Sequence, residues 1–247
     1  MKILFFDTEC NCLDTENGFI QEIAWVIADT DTWRTLKAVS HLISWKTYYP
    51  IEPEALAVTE LTREFCEANG RNANGVFSDL LHDATFVDII CGHNAIPYDI
   101  PMLATNVKRA CFYPFSDSEF SKKLVIDTLS DCPYPPTMKV HALKYLAYDH
   151  GYILSDAHQA LADVFACKHL LSRYDLNQVI EIAKTPLVTL TAKIDFNDLD
   201  SRDRIKQARF YWNNKRKLWE KRIREFHLPG IQLTLGNEIN LLQEPTQ

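Results

Sequence analysis

The sequence predicts an α/β fold: a mixed five-stranded sheet flanked by helices, with a small basic module near the C-terminal end. Three observations point to it. Apolar strand patterns occupy 3–6, 21–28 and 37–45 before any long helical pattern begins. Helices and strands then alternate as far as residue 172, the order of a sheet with helices on its faces. Finally, residues 200–230 hold ten Lys/Arg and four Asp/Glu, whereas residues 1–199 hold 16 and 27.

Each element has its own warrant. The run Ile3-Leu4-Phe5-Phe6 is continuously apolar, as in a strand covered on both faces. Residues 21–28 and 37–45 follow as second and third strands, so the three form an antiparallel meander. Segments 54–61 and 76–81 have helical spacing, and 86–91 is a fourth, buried strand. Pro97 punctuates the chain, 98–110 is helical, and 124–129 is the fifth strand. Helices over 139–148 and 156–172 repeat apolar residues at spacings of three and four. Pro133, Pro135 and Pro136 mark a loop ahead of the first of these helices, not a domain boundary. The organisation read from this is a domain over 1–185, a basic module over 195–235 and a tail over 236–247.

Bulk properties narrow the class. A chain of 247 residues with 47% hydrophobic and 24% charged residues is ordinary globular composition. No run of 18 apolar residues exists, and the start M-K-I-L-F-F-D-T-E lacks the pattern of a signal peptide. Seven cysteines without a C-x-x-C pair read as reduced thiols, so the expected location is cytoplasmic, away from membranes. A net charge of −7 with its basic residues gathered near the C-terminal end suggests an anionic partner there, such as nucleic acid.

Four carboxylates and a histidine carry the chemistry. Asp7 and Glu9 lie two apart at the end of the first strand, and so project from one face. Asp99 opens the helix after the fourth strand and shares a face with Met102, Leu103 and Asn106. Asp163 interrupts the apolar stripe Ala160, Leu161, Val164, Cys167 and Leu170. Taken singly, these acids read as a solvated turn pair, a helix N-terminal acid and a satisfied core carboxylate. Together, three segments each offer a carboxylate, and such a cluster suits Mg²⁺ or Mn²⁺. Two such ions about 4 Å apart can hold both the attacking and leaving oxygens of a phosphodiester displacement. His158 precedes Asp163 by five residues, a rotation of about 140° net, so it cannot share that helical face. It is placed at or before the first turn, where a group titrating near neutrality can deprotonate a water.

The order D7-T-E9, H93-N-A-I-P-Y-D99 and H158-Q-A-L-A-D163 resembles the DEDDh, or DnaQ-like, 3′–5′ exonucleases. The resemblance spans roughly residues 1–175 and includes D127-T-L and H141-A-L-K-Y-L between the second and third motifs. It implies an RNase H-like fold and two-metal hydrolysis from a 3′ end, releasing nucleoside monophosphates. Asp7, Glu9, Asp99 and Asp163 match the family's metal ligands, with two Mg²⁺ expected and Mn²⁺ able to substitute. His158 matches its general base. Thr8, Leu13 and Asn94 fall where the family meets its terminal nucleotide. Two departures stand out. C10-N-C12 replaces the usual T-T-G, and H93-N-A-I-P-Y-D99 is one residue longer than the commonest spacing.

In the basic module, Asn213-Asn214 reads as a hairpin turn. Arg209 and Lys215 are expected on phosphates and Trp212 on a base. The leading expectation is an exonuclease on the single-stranded 3′ end of DNA. The alternatives are RNA or oligonucleotide trimming, a polymerase proofreading subunit, and a nucleic-acid-binding module without catalysis. The residues at hand name no protein partner.

Overall fold

A computed structural model describes residues 1–135, 138, 140–154, 159–195, 197–236 and 239–245. They form two compact units, Met1–Val179 and Ile180–Gln247.

The first unit is built on β1 (Lys2–Cys10), β2 (Ile20–Asp29), β3 (Thr35–Ser44), β4 (Arg71–Asn72), β5 (Ile89–Gly92) and β6 (Leu124–Asp127), in the sheet order β4-β3-β2-β1-β5-β6. β1 pairs antiparallel with β2 and parallel with β5. The sheet is mixed, as the sequence predicts, but it has six strands rather than five. β4 adds an edge strand of two residues, paired as Ile43↔Arg71 and Ser44↔Asn72. Two residues are too few to print a period-two pattern.

The helices of this unit are α1 (Pro53–Thr59), α2 (Arg63–Asn69), α3 (Ala73–Ala84), α4 (Ile100–Cys111), α5 (Thr128–Asp131), α6 (Leu143–Asp149) and α7 (Ala160–Leu171), with α8 (Leu176–Lys184) crossing the unit boundary. Strand alternation sorts β1 into two faces. Leu4 and Phe6 enter one core with Ile23, Trp25, Phe77, Leu80, Met102 and Leu103. Ile3 and Phe5 lie on the other face, as do Asp7 and Glu9, and α7 packs across β1 and β2. Opposite Phe5 and Asp7, β2 presents Val26 and Ala24 on that same face. The helix carrying Asp163 and the strand carrying Asp7 and Glu9 are thereby brought together. α7 starts at Ala160 rather than at 156, and residues 155–158 lie outside the described part.

The second unit holds α9 (Leu199–Gln207), α10 (Leu228–Leu235) and a sheet of β7 (Leu187–Ala192), β8 (Tyr211–Asn213), β9 (Leu218–Arg224) and β10 (Leu241–Pro245). Its order is β10-β7-β9-β8, with antiparallel pairing throughout. The hairpin expected at Asn213–Asn214 is present. Asn213 Oδ1 accepts the backbone N–H groups of Lys215 and Arg216. The stretch read as a loose tail instead supplies β10, whose Leu241–Pro245 backbone pairs along β7. A core of Val188, Leu190, Ile205, Phe210, Ile223 and Leu235 fills the unit. Among the described residues, no helix is long and apolar enough to cross a membrane.

Candidate active site

The site begins with β1. Its apolar half anchors the strand in the core, and its last residues then hold carboxylates at the same pitch. Asp7 is half-buried and Glu9 buried. Asp163 projects from the first turn of α7. One carboxylate oxygen from each of Asp7, Glu9 and Asp163 lies within 4.8 Å of the others.

Asp99 comes from the turn after β5; its charge acts on Asp7, though its oxygens fall outside the group formed by Asp7, Glu9 and Asp163. Gly92 closes that strand, where a side chain would meet the Ala95 Cβ at 2.5 Å. Asn94 then takes a left-handed backbone (φ 62°), and Ala95–Asp99 form a wide turn closed by Ile100 N–H on the Ala95 carbonyl, five residues back. A π-type turn holds one residue more than an α-turn. It thus absorbs the extra residue of H93-N-A-I-P-Y-D99 and delivers Asp99 to β1, where Thr8 Oγ1 donates to Asp99 Oδ1 at 2.5 Å. Asp127, at the end of β6, fixes the turn from below. Its carboxylate accepts the N–H of Asn94 (2.7 Å), Ile96 (3.1 Å) and Leu129 (3.0 Å).

The electrostatics of so acidic a cluster favour a cation. Burial, then the charges of Asp99, Asp163 and Glu9, push the Asp7 carboxyl well above the usual range. Burial, then Asp163, Glu22 and Asp99, raise Glu9 to about 8. Burial raises Asp99 to about 7, against the lowering effect of the Thr8 hydrogen bond. Like charges this close cannot all ionise without a cation. The donors are all oxygens, so the set fits hard divalent ions such as Mg²⁺ or Mn²⁺.

The other predicted residues are dispersed. His158 lies outside the described residues. Thr8 is buried, with its hydroxyl committed to Asp99. Leu13 is 79% exposed beyond the strand end. Cys12, in place of the family's glycine, keeps a backbone without positive φ, so the loop needs no glycine there. Asn11 and Tyr98 hold this loop: Asn11 Nδ2 donates to the Pro50 carbonyl (2.6 Å) and Tyr98 Oη to the Cys12 carbonyl (2.9 Å). Arg209, Trp212 and Lys215 belong to the second unit. Trp212 is 41% exposed and meets Trp219 edge-on, with 5.6 Å between ring centroids. Lys215 is exposed in the β8–β9 turn.

The sequence reading missed three contributors: Asp127, the hydroxyl of Thr8, and His93. His93 is wedged between Thr128 Oγ1 (2.9 Å) and the His141 carbonyl (3.0 Å), and burial holds it neutral, with its pKa lowered to about 4. An Asp before a short helix was the available signal for Asp127, since that position favours an N-cap.

The chain was compared with known proteins. No curated protein sequence matches it. Among solved structures it resembles the zinc-bound form of an Escherichia coli exonuclease I–ssDNA complex (16% identity, TM-score 0.66, 98% of this chain and 64% of that one). It likewise resembles E. coli exonuclease I in complex with a dA16 oligonucleotide (16%, 0.65, 97% and 68%). A third likeness is a moderately thermophilic exonuclease I from Methylocaldum szegediense (17%, 0.61, 81% and 49%). The chain spans only 48% of a further exonuclease I structure. These likenesses place the first unit in the RNase H-like fold. The sequence profile of the exonuclease family, RNase_T, matches residues 4–171, the stretch that contains all four carboxylates, and the chain therefore belongs to the exonuclease family.

Proposed function

We propose that the chain is a metal-dependent 3′–5′ exonuclease that removes nucleoside 5′-monophosphates from the single-stranded 3′ end of DNA. The observation that carries this reading is the convergence of Asp7, Glu9 and Asp163 within 4.8 Å, in a chain of the exonuclease family. Asp99, held by Thr8, completes the set. These four carboxylates would hold two Mg²⁺, or Mn²⁺ in their place. When bound, such ions neutralise charge on the scissile phosphate and lower the pKa of water. His158 is assigned the general base, taking the proton from the attacking water. The backbone at Thr8 and the side chains of Leu13 and Asn94 are assigned to the terminal nucleotide. Arg209 and Lys215 would meet phosphates further along the strand, and Trp212 a base. The likeness to exonuclease I bound to single-stranded oligonucleotides supports DNA as the polymer. We assign catalysis to residues 1–185 and strand binding to the basic module that follows.

The test is a gel assay with 5′-labelled single- and double-stranded DNA and RNA in Mg²⁺ or Mn²⁺. Shortening from the 3′ end, absent with EDTA or in Asp7→Ala protein, supports the reading. Faster shortening of RNA would reassign the substrate. No shortening of any polymer would leave a nucleic-acid-binding module.

A further inference from the structure

Near the acids runs a cleft of about 480 Å³. It follows the outer edge of β3, where β4 pairs only with Ile43 and Ser44 and leaves Ser40, His41 and Leu42 to line the opening. None of the four acids lines it, but two residues next to them do. Glu22 lines it, lies directly across from Glu9 in the β1–β2 register, and raises the Glu9 pKa. Gln159, at the cap of α7 ahead of Asp163, lines it as well.

The chemistry of the lining selects its occupant. Arg71 is its cation, but that guanidinium is engaged with Asp79 at 2.9 Å and with His41 Nε2 at 2.8 Å. Glu22 balances it in charge, so the cleft is a poor seat for a phosphate. Neutral hydrogen-bonding groups remain. A guanidinium only donates, so His41 must accept on Nε2 and carry its proton on Nδ1, as a neutral donor. Burial, then Arg71, hold the pKa of that ring below its usual range. Asn69 donates Nδ2 to the Phe65 carbonyl at 2.9 Å and keeps Oδ1 as an acceptor. Leu42 and Leu61 add apolar surface. A flat heterocycle with donors and acceptors on its edge suits this lining.

We infer that this cleft seats the nucleobase immediately 5′ of the scissile phosphate. The inference rests on the exonuclease reading and on the position of the acids. The loop at Cys10–Leu13, assigned to the terminal nucleotide, leaves the end of β1, whereas the cleft lies across β2 and β3. The cleft is thus a place distinct from that loop, and with the loop assigned to the terminal nucleotide it is left for the nucleotide on the other side of the scissile phosphate. His41 and Asn69 act here as positioning residues.

The experiment compares three substrates with wild-type, His41→Ala and Asn69→Ala protein. They are a short single-stranded oligonucleotide, the same oligonucleotide with an abasic penultimate residue, and the p-nitrophenyl ester of thymidine 5′-monophosphate, which has no preceding nucleotide. The expected result is that each variant, and the abasic substitution on wild type, raises KM on the oligonucleotide by about three- to tenfold, the worth of one hydrogen bond. The two changes together should exceed neither alone. Hydrolysis of the ester and the salt dependence of KM should stay at wild-type values, because no phosphate contact is removed. Unchanged KM in both variants, or effects that multiply with the abasic change, overturns the inference while the exonuclease reading stands. Wild-type protein inert on all three substrates overturns both. Asn69 is exposed at the end of α2, so its variant guards against a folding defect at His41.

Discussion

Thr8 Oγ1 donates to Asp99 Oδ1 across 2.5 Å, linking the central strand to the wide turn that follows β5. The bond opposes the rise in pKa that burial imposes on Asp99. It also fixes which way the carboxylate turns. Thr8→Val should therefore lower kcat or metal affinity by about 10- to 100-fold, the usual effect of removing a partner of a metal ligand. Thr8→Ser should restore most of it. Kinetics across a Mg²⁺ titration check both, and a Thr8→Val enzyme with wild-type metal dependence would contradict the assignment.

Asp7→Ala and Asp163→Ala should abolish hydrolysis yet leave the metal-free fold intact or more stable. Each removes one member of a crowded set of acids. Thermal unfolding in EDTA reads this directly, and a marked loss of stability in both variants would count against a metal role.

The same crowding sets a pH dependence. The carboxyls of Glu9 (about 8), Asp99 (about 7) and Asp7 titrate well above their unfolded values near 4. The folded, metal-free protein thus binds more protons than the unfolded chain, and the stability they contribute is lost as pH rises toward 8. His93 works in the opposite sense. Held near 4, it contributes stability that is present above about 6.5 and lost as pH falls through 4. Between pH 6.5 and 8.5 His93 no longer acts, and the three raised carboxyls outweigh the opposite effect of Lys221, which burial lowers to about 8, so the melting temperature in EDTA should fall over that range. Mg²⁺ should flatten the decline.

Asp127→Asn keeps an oxygen for Asn94 and Leu129 but offers an amide to the N–H of Ile96. The predicted cost is about 1–3 kcal/mol in unfolding free energy, from one buried donor left unpaired. Activity should fall with it, since the turn carries Asp99. Denaturant unfolding and kcat measured on the same protein separate the two effects.

Lys215 and Lys217 flank Arg216 in the β8–β9 turn, and Arg216 is already paired with Glu220 and Glu244. The double change Lys215→Ala, Lys217→Ala should weaken binding to single-stranded DNA and flatten its salt dependence by about 0.7 in log–log slope per lost phosphate contact. Fluorescence anisotropy over a salt series checks this. An unchanged slope would remove the turn from the nucleic-acid interface.

The sequence displayed the site better than its supports. Asp7 and Glu9 were legible because strand alternation requires them to share a face, and Asp163 because an acid on an apolar helical stripe needs a reason. The face of α7 was likewise readable, since Ala160, Val164, Cys167 and Leu170 are all buried. Asp127 was legible only as an N-cap before a short helix; its hold on the turn at Asn94 and Ile96 was not, because partners that are backbone N–H groups leave no pattern of side chains. β4 and β10 escaped for a related reason: each is specified by the edge it pairs with, Ile43–Ser44 and Leu187–Ala192, rather than by its own periodicity. The π-type turn shows in sequence only as one surplus residue.

β1 has one further consequence. It behaves as a ruler with two graduated edges: Leu4 and Phe6 on one, Phe5, Asp7 and Glu9 on the other, with a shift in register only after Glu9. A slip of one residue would exchange the edges, driving two carboxylates into hydrocarbon and turning Phe6 and Thr8 toward α7. The chain therefore checks its own chemistry as it folds. A misregistered sheet is penalised by the very groups that would have lost their function, so molecules that are folded but silent through misregister should be rare.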